Sequence, residues 1–287
     1  MPETPPLVRN ISDTACWAAI YRARETDRPD ALFRDPFARK LAGTRGEEIA
    51  AAIPFSERQS WAWVTRTYLF DQFIAEQVAD GVDMVVNLAA GLDARPYRMK
   101  LPANLRWVEV DLPELFDYKE SILAGEKPNC ALERVRLDLA NIEARQKLFA
   151  RLGSESKNAL IITEGLLMYL SAEEVAGLAK DLAAAAGFQR WVMNLVSPAL
   201  LKRVQKEMNP VLNPGGAFLR FAPEEGAAFF NSHGWKPIDV RSLLQTARKL
   251  GRLPWLLRLI ALLFGDSPGP KGNRPWSGIC LFGKISA

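Results

Sequence analysis

The sequence predicts an α/β fold in which a doubly wound, mostly parallel sheet carries helices on both faces. Three observations support this. Short β-rich runs at Met84–Leu88, Trp107–Val110, Val135–Leu137, Leu160–Thr163 and Trp191–Val196 alternate with helical segments near Pro113–Ala124, Ile142–Leu152 and Ala172–Ala186. Such alternation implies right-handed crossovers between parallel neighbours. The runs are apolar on both faces, as expected of strands covered from each side. No internal repeat or low-complexity linker divides the 287 residues, so a single domain is expected.

Taken in order, the first 80 residues read as a helical cap. Asp35-Pro36 has the form of an N-cap followed by proline at the first helical position. Ser56-Glu57-Arg58-Gln59 is a capping box, and the helix it opens is expected to run to Asp80 and stop at Gly81. The alternating core follows over residues 81–197. Its last helix opens with a second capping box, Ser171-Ala172-Glu173-Glu174, and closes at Gly187. Residues 198–221 and 242–275 read as insertions, rich in Pro and Gly around Asn213–Gly216 and Pro268–Pro275. Between them, Pro223–Gly234 predicts a short helix and Trp235–Val240 a strand. The chain ends on a further strand, Gly278–Ile285. The apolar segment Leu250–Phe264 is expected to form a lid helix over the cleft.

Composition excludes several functions. Charged residues make up 24% of the chain, and the net charge of +4 is spread over 37 basic and 33 acidic side chains. No basic run resembles a nucleic-acid patch. The N-terminus lacks an apolar h-region, and the longest apolar stretch is too short for a membrane span. The three cysteines are far apart, without metal-ligand spacing, which suits a reducing, cytoplasmic environment. The lone histidine, His233, lies in a polar turn and rules out a histidine-rich metal site.

The sharpest local signal is Val85-Val86-Asn87-Leu88-Ala89-Ala90-Gly91-Leu92-Asp93, a buried strand entering a turn of small residues. Such a turn lets backbone amides approach a ligand. About 20 residues beyond Gly91, the next strand ends in Asp111, at the carboxyl edge where an acid can accept two ribose hydroxyls. NAD and S-adenosylmethionine both carry that ribose, so these features fit either. Three others favour S-adenosylmethionine. The G-x-G-x-x-G fingerprint is missing, Arg95-Pro96 replaces the clean helix that a pyrophosphate needs, and no Tyr-x-x-x-Lys dyad is present.

Four stretches carry a more specific likeness. Ile11–Ala15, Arg22–Ala38, Asn87–Arg98 and Ile162–Leu170 resemble, in this order, the leucine carboxyl methyltransferase family, most of all its bacterial branch with enzymes similar to polyketide O-methyltransferases. The resemblance spans roughly residues 8–240 and implies a seven-stranded class I methyltransferase fold with S-adenosyl-L-methionine as cofactor. It further implies that Arg66 pairs with the cofactor carboxylate, that Ala89 and Gly91 pass beneath its methionine portion, and that Asp111 binds the ribose. Asp138 and Leu139 would hold adenine, and Glu164 would lie beside the cofactor amino group. Position 89 departs from the family, which has glycine there. Alanine is harmless at negative φ, the conformation expected here, and costs roughly 1 kcal/mol or more at positive φ.

The expected reaction is methyl transfer to oxygen, a carboxylate or a hydroxyl, on a small-molecule or peptide acceptor. A sulfonium leaves readily, so desolvation and alignment suffice, in keeping with the absence of a Ser/His/Asp or Cys/His set. With no second histidine to take a proton, a carboxylate acceptor is the simpler case. Neither the acceptor's identity nor the oligomeric state is written in the sequence. The rival functions are a nicotinamide-dependent oxidoreductase, disfavoured by the missing glycines, and a non-catalytic nucleoside-binding protein, which would bind cofactor without turnover.

Overall fold

The computed structural model describes residues 7–9, 12–53, 55, 58–263 and 274–285. Seven strands form one sheet: β1 (Met84–Leu88), β2 (Arg106–Asp111), β3 (Ala131–Arg136), β4 (Ala159–Thr163), β5 (Phe188–Val196), β6 (Trp235–Ser242) and β7 (Ser277–Lys284). Their spatial order is β3-β2-β1-β4-β5-β7-β6. The first five pair in parallel, while β7 runs antiparallel to both β5 and β6. The strand order reverses between β1 and β4, and ligands of open α/β sheets bind in the crevice beyond such a point.

Ten helices are labelled in chain order: α1 (Asp13–Thr26), α2 (Ala38–Ala52), α3 (Ser60–Ala79), α4 (Arg95–Arg98), α5 (Pro113–Ile122), α6 (Ile142–Glu155), α7 (Ala172–Ala184), α8 (Pro198–Leu212), α9 (Leu243–Lys249) and α10 (Trp255–Leu263). Because strand side chains alternate between faces, β1 divides its residues. Met84, Val86 and Leu88 join a core with α6, α7 and β5, whereas Val85 joins α3 through Leu69, Phe70, Phe73 and Ile74. A third apolar cluster holds α1, α2 and α8 together with Ala217 and Leu219.

The predicted strands are all present, and their ends follow local chemistry. Ser171 and Glu174 form the expected capping box at α7. That helix stops at Ala184, short of Gly187, whose added Cβ would lie 2.1 Å from the Ser156 carbonyl oxygen. Gly187 is there for close packing, not as the cap. Helix α3 ends next to Gly81, at φ +89°, as anticipated; Ser56 and Glu57 of its expected capping box lie outside the described residues.

Other expectations need correction. Asp35 is not the N-cap of α2, which begins at Ala38; its carboxylate instead accepts from Arg22 Nε at 2.9 Å and from the Phe37 amide. β3 is not apolar on both faces, because it forms the edge of the sheet: Glu133 pairs with Arg151 of α6, Arg136 with Glu120 of α5, and Arg134 with Glu109 of the adjacent β2. α3 is a layer of the sandwich rather than part of a roof, since its apolar side chains cover one sheet face. The segment expected as a lid helix, Leu250–Phe264, supplies none of its described residues to the cleft: Leu253 and Ala261 pack with Ala247 of α9 and Trp61 of α3, and Phe264 lies outside the described residues. No described helix is long and apolar enough to cross a membrane.

Candidate cofactor and methyl-transfer site

A cleft of about 590 Å³ opens at the carboxyl ends of β1, β2 and β4. That lies within the 300–1,000 Å³ usual for cofactor sites. Arg66, Ala89, Gly91, Asp111, Asp138, Leu139 and Glu164 all line it. The register explains how residues so far apart in sequence converge. Leu88 is level with Val110 and Asn87 with Ile162, so Ala89, Asp111 and Glu164 emerge side by side at one edge.

The β1 loop is held tightly. The Ala90 amide donates to the Val110 carbonyl at 3.2 Å and the Gly91 amide to Asp111 Oδ2 at 2.6 Å. Asp111 Oδ1 accepts from the Leu112 amide at 2.8 Å. Asp111 therefore braces the loop as well as bordering the cleft. Burial raises its pKa above the ordinary carboxylate value, and these two backbone donors offset only part of that.

Within this loop the structure overturns one expectation. Ala89 has φ +52°, in the left-handed region, so its methyl group is not harmless. Gly91, at φ +54°, occupies the same region without that cost.

Asp138 is exposed, and its carboxylate accepts from the Ala140 amide at 2.9 Å. The helix α6 is capped by Asn141, which accepts from Ala144, so Asp138 is free of that duty. Leu139, Leu137 and Ile142 give this end of the cleft an apolar lining.

At the opposite end, Arg66 Nε donates to Glu164 Oε1 at 2.9 Å, and its guanidinium lies over the Trp63 ring at 4.6 Å from the centroid. Glu164 Oε2 is paired with Arg95 Nη1 at 2.8 Å. Arg95 reaches Asp93 at 2.7 Å and Asp71 at 2.6 Å, and Arg98 grips both oxygens of Asp71. Asn87 of β1 donates to Asp93 at 2.9 Å. Burial alone would raise the Asp93 carboxyl, but the charges of Arg95, Lys119, Arg98 and Arg22 outweigh it and hold it well below the usual range. The sequence offered a partial sign of this network: Asp93, Arg95 and Arg98 lie in the very loop that suggested a ligand. Their partners Asp71 and Glu164 come from distant segments, so the network itself was not legible there.

The cleft is roofed by Ser12, Thr14, Ala15, Ala18 and Arg22 on and just before α1, and closed by Met168, Tyr169 and Leu170 after β4. Burial raises the Tyr169 phenol above its ordinary pKa, and the hydrogen bond with Thr14 and the Arg66 charge offset only part of this. Arg22 is committed to Asp35 and to the Leu92 carbonyl at 2.6 Å. His233 stands apart, packed edge-on against Phe229. Among the described residues no cluster could hold a metal ion.

Comparison with known proteins gives this geometry a context. The chain is 31% identical over 250 residues to a protein of Streptomyces avermitilis named for S-adenosyl-L-methionine-dependent methyl transfer, covering 83% of this chain and 87% of that one. A protein of Parafrankia with the same kind of name is 32% identical over 247 residues, covering 81% and 79%. In fold, the chain is similar to the crystal structure of a Thermobifida fusca protein named for methyl transfer, with a TM-score of 0.59 at 17% identity and coverage of 99% and 97%. A DUF574 family protein from Streptomyces avermitilis gives a TM-score of 0.56 at 12% identity, covering 93% and 96%. The profile of leucine carboxyl methyltransferase matches residues 15–183. With the strand order, the cleft and this match in agreement, the chain belongs to the leucine carboxyl methyltransferase family of S-adenosyl-L-methionine-dependent methyltransferases.

Proposed function

We propose that the protein transfers a methyl group from S-adenosylmethionine to an oxygen atom of a small-molecule or peptide acceptor, and that the acceptor oxygen belongs to a carboxylate. The observation that carries the cofactor assignment is the convergence of Arg66, Ala89, Gly91, Asp111, Asp138, Leu139 and Glu164 on one cleft at the switch point of the sheet. The residues fit a nucleoside bearing an amino acid: a cation and an acid at one end, an acid for the ribose in the middle, and an apolar slot with an acceptor at the other. The cofactor, when bound, supplies a methyl group on a sulfonium.

The chain's own groups then have distinct tasks. Arg66 uses Nε on Glu164, which leaves its terminal nitrogens for a carboxylate. Asp111 accepts from ribose hydroxyls, Asp138 from the adenine amine. The α1 roof keeps water from the reacting atoms, and Trp63, Met168 and Tyr169 border the space left for the acceptor. The side chains nearest the acceptor space offer no ready base near neutral pH. Tyr169 holds its proton more firmly than an ordinary phenol, both Glu164 oxygens are occupied by guanidiniums, and His233 is elsewhere. A carboxylate acceptor needs no such group, being ionised above about pH 5.

Two measurements test this. S-adenosylhomocysteine at about 100 times its dissociation constant should stabilise the fold by about 2.7 kcal/mol and raise the melting temperature by about 5 °C or more, whereas NAD should not. A shift with NAD alone would overturn the cofactor assignment. Screening carboxylic acids and phenols with labelled cofactor should yield an alkali-labile ester formed at a rate nearly flat from about pH 6 to 9. An alkali-stable ether, or a rate rising about tenfold per pH unit, would move the acceptor to a hydroxyl.

A further inference from the structure

Glu164 makes two ion pairs of different character. Its partner Arg66 is partly open to the cleft, with 16% of the side chain exposed, and is anchored among the described residues only through Nε and the Trp63 ring. Its partner Arg95 is 3% exposed and fixed on every side: by Asp71 through Nε, by Asp93 through Nη1, and by its own backbone amide to Asp93 Oδ1 at 2.9 Å. Burial disfavours the Arg95 charge, but Asp93, Glu164 and Asp71 together drive its pKa well above the ordinary arginine value. Asp71 is in turn clamped by Arg98. With Asp35 joined to Arg98 and Arg22, four cations (Arg22, Arg66, Arg95 and Arg98) face four anions (Asp35, Asp71, Asp93 and Glu164).

We propose that Arg95 is the positioning residue for recognition of the cofactor's amino-acid moiety. It holds Glu164 in place while Arg66, bonded to Glu164 through Nε, turns its terminal nitrogens to the ligand carboxylate. The zwitterionic amino-acid moiety brings a carboxylate to Arg66 and an ammonium group to Glu164, so the charges at this end of the cleft stay paired. Without Arg95, Glu164 would lose its one fixed partner just when Arg66 turns to the ligand, and the acid would no longer be aimed at the ammonium group. The role rests on the cofactor reading above and deepens it: the loop Ala89–Arg98 serves the ligand from beneath through Arg95 as well as by its backbone.

The test separates the two ends of the ligand. S-adenosylhomocysteine carries the amino acid, whereas methylthioadenosine has the same nucleoside without it. Titration calorimetry on the full chain should show the wild type preferring S-adenosylhomocysteine. Arg95→Lys should weaken that ligand about tenfold to a hundredfold, the scale of a hydrogen bond to a charged group, and leave methylthioadenosine within about twofold. Arg95→Lys combined with Glu164→Gln should be no worse than the poorer single variant, because both act on one contact. Equal weakening of both ligands by Arg95→Lys, or no weakening of either, overturns the positioning role. A wild type that binds neither nucleoside overturns the cofactor reading, and this role with it. If Arg95→Lys does not melt cooperatively, Asp93→Asn replaces it, since it removes one anchor of Arg95 while keeping the guanidinium. That variant should show the same selective loss in smaller degree, and an unselective loss or none refutes the role.

Discussion

Ala89 permits the most direct test of the loop geometry. Its φ of +52° places an L-residue where the Cβ crowds the backbone, at a cost of about 1–2 kcal/mol. The turn cannot relax away from this conformation cheaply, because the next two amides are committed to Val110 and Asp111. Replacing Ala89 by glycine removes the strain but frees the unfolded chain, which returns about 0.4–1 kcal/mol in the opposite sense. The net gain is at most about 1.6 kcal/mol and about 0.8 kcal/mol at the middle of the two ranges. At roughly 2–4 °C per kcal/mol for a large domain, the melting temperature of Ala89→Gly should rise by about 1–4 °C. Affinity for S-adenosylhomocysteine should stay within about twofold, because strain present in both free and bound states shifts no binding equilibrium. Ala89→Val should move the other way, since a β-branched side chain is worse still at positive φ. Scanning calorimetry without ligand decides the matter. A glycine variant that melts at or below the wild-type temperature would refute a left-handed Ala89, and a large gain in affinity would show that the loop is strained only when the ligand is bound.

Three further outcomes follow from the charges and thiols. Burial raises the Asp111 pKa, so the ligand-free protein keeps that proton to higher pH than an ordinary aspartate and protonation favours the free state. Calorimetry should therefore show S-adenosylhomocysteine affinity falling on acidification through this raised pKa, and Asp111→Asn should bind about tenfold to a hundredfold more weakly with a flatter pH profile; an unchanged affinity would leave Asp111 only as the brace of the loop. Cys16 and Cys130 are buried and pushed up to about 11, and the buried Cys280 is raised further, so none should react with a thiol reagent at pH 7 until the protein is unfolded. Lys119 is fully buried 2.7 Å from the equally buried Glu109, and Lys119→Ala should destabilise by about 3 kcal/mol by thermal or denaturant melting, softened because Arg134 still pairs with Glu109.

What the sequence determined by itself is the part of the molecule governed by neighbours along the chain. Apolar runs at 84–88 and 159–163 are strands because their residues bury on both faces, and Ser171 with Glu174 caps α7 through contacts three residues apart. The strand-to-turn run into Gly91 and the acid at Asp111 located the cleft, since the ends of adjacent parallel strands lie together once the strands are paired. The resemblance supplied residues outside that local pattern, and Arg66, Asp138, Leu139 and Glu164 do line the same space.

The tertiary structure decided what depends on groups far apart in sequence. Arg66 and Glu164 are 98 residues apart, yet share a hydrogen bond, and Glu164 meets Arg95 only because β1 and β4 are neighbours in the sheet. The left-handed turn at Ala89 is imposed by backbone bonds to β2, against the preference of alanine itself. The roof also had to be seen in three dimensions: the apolar α10 had the composition of a lid, but its buried residues found α9 and α3, while the α1 segment took the place above the cleft. Hydrophobic pattern says that a face must be buried, not which partner will bury it.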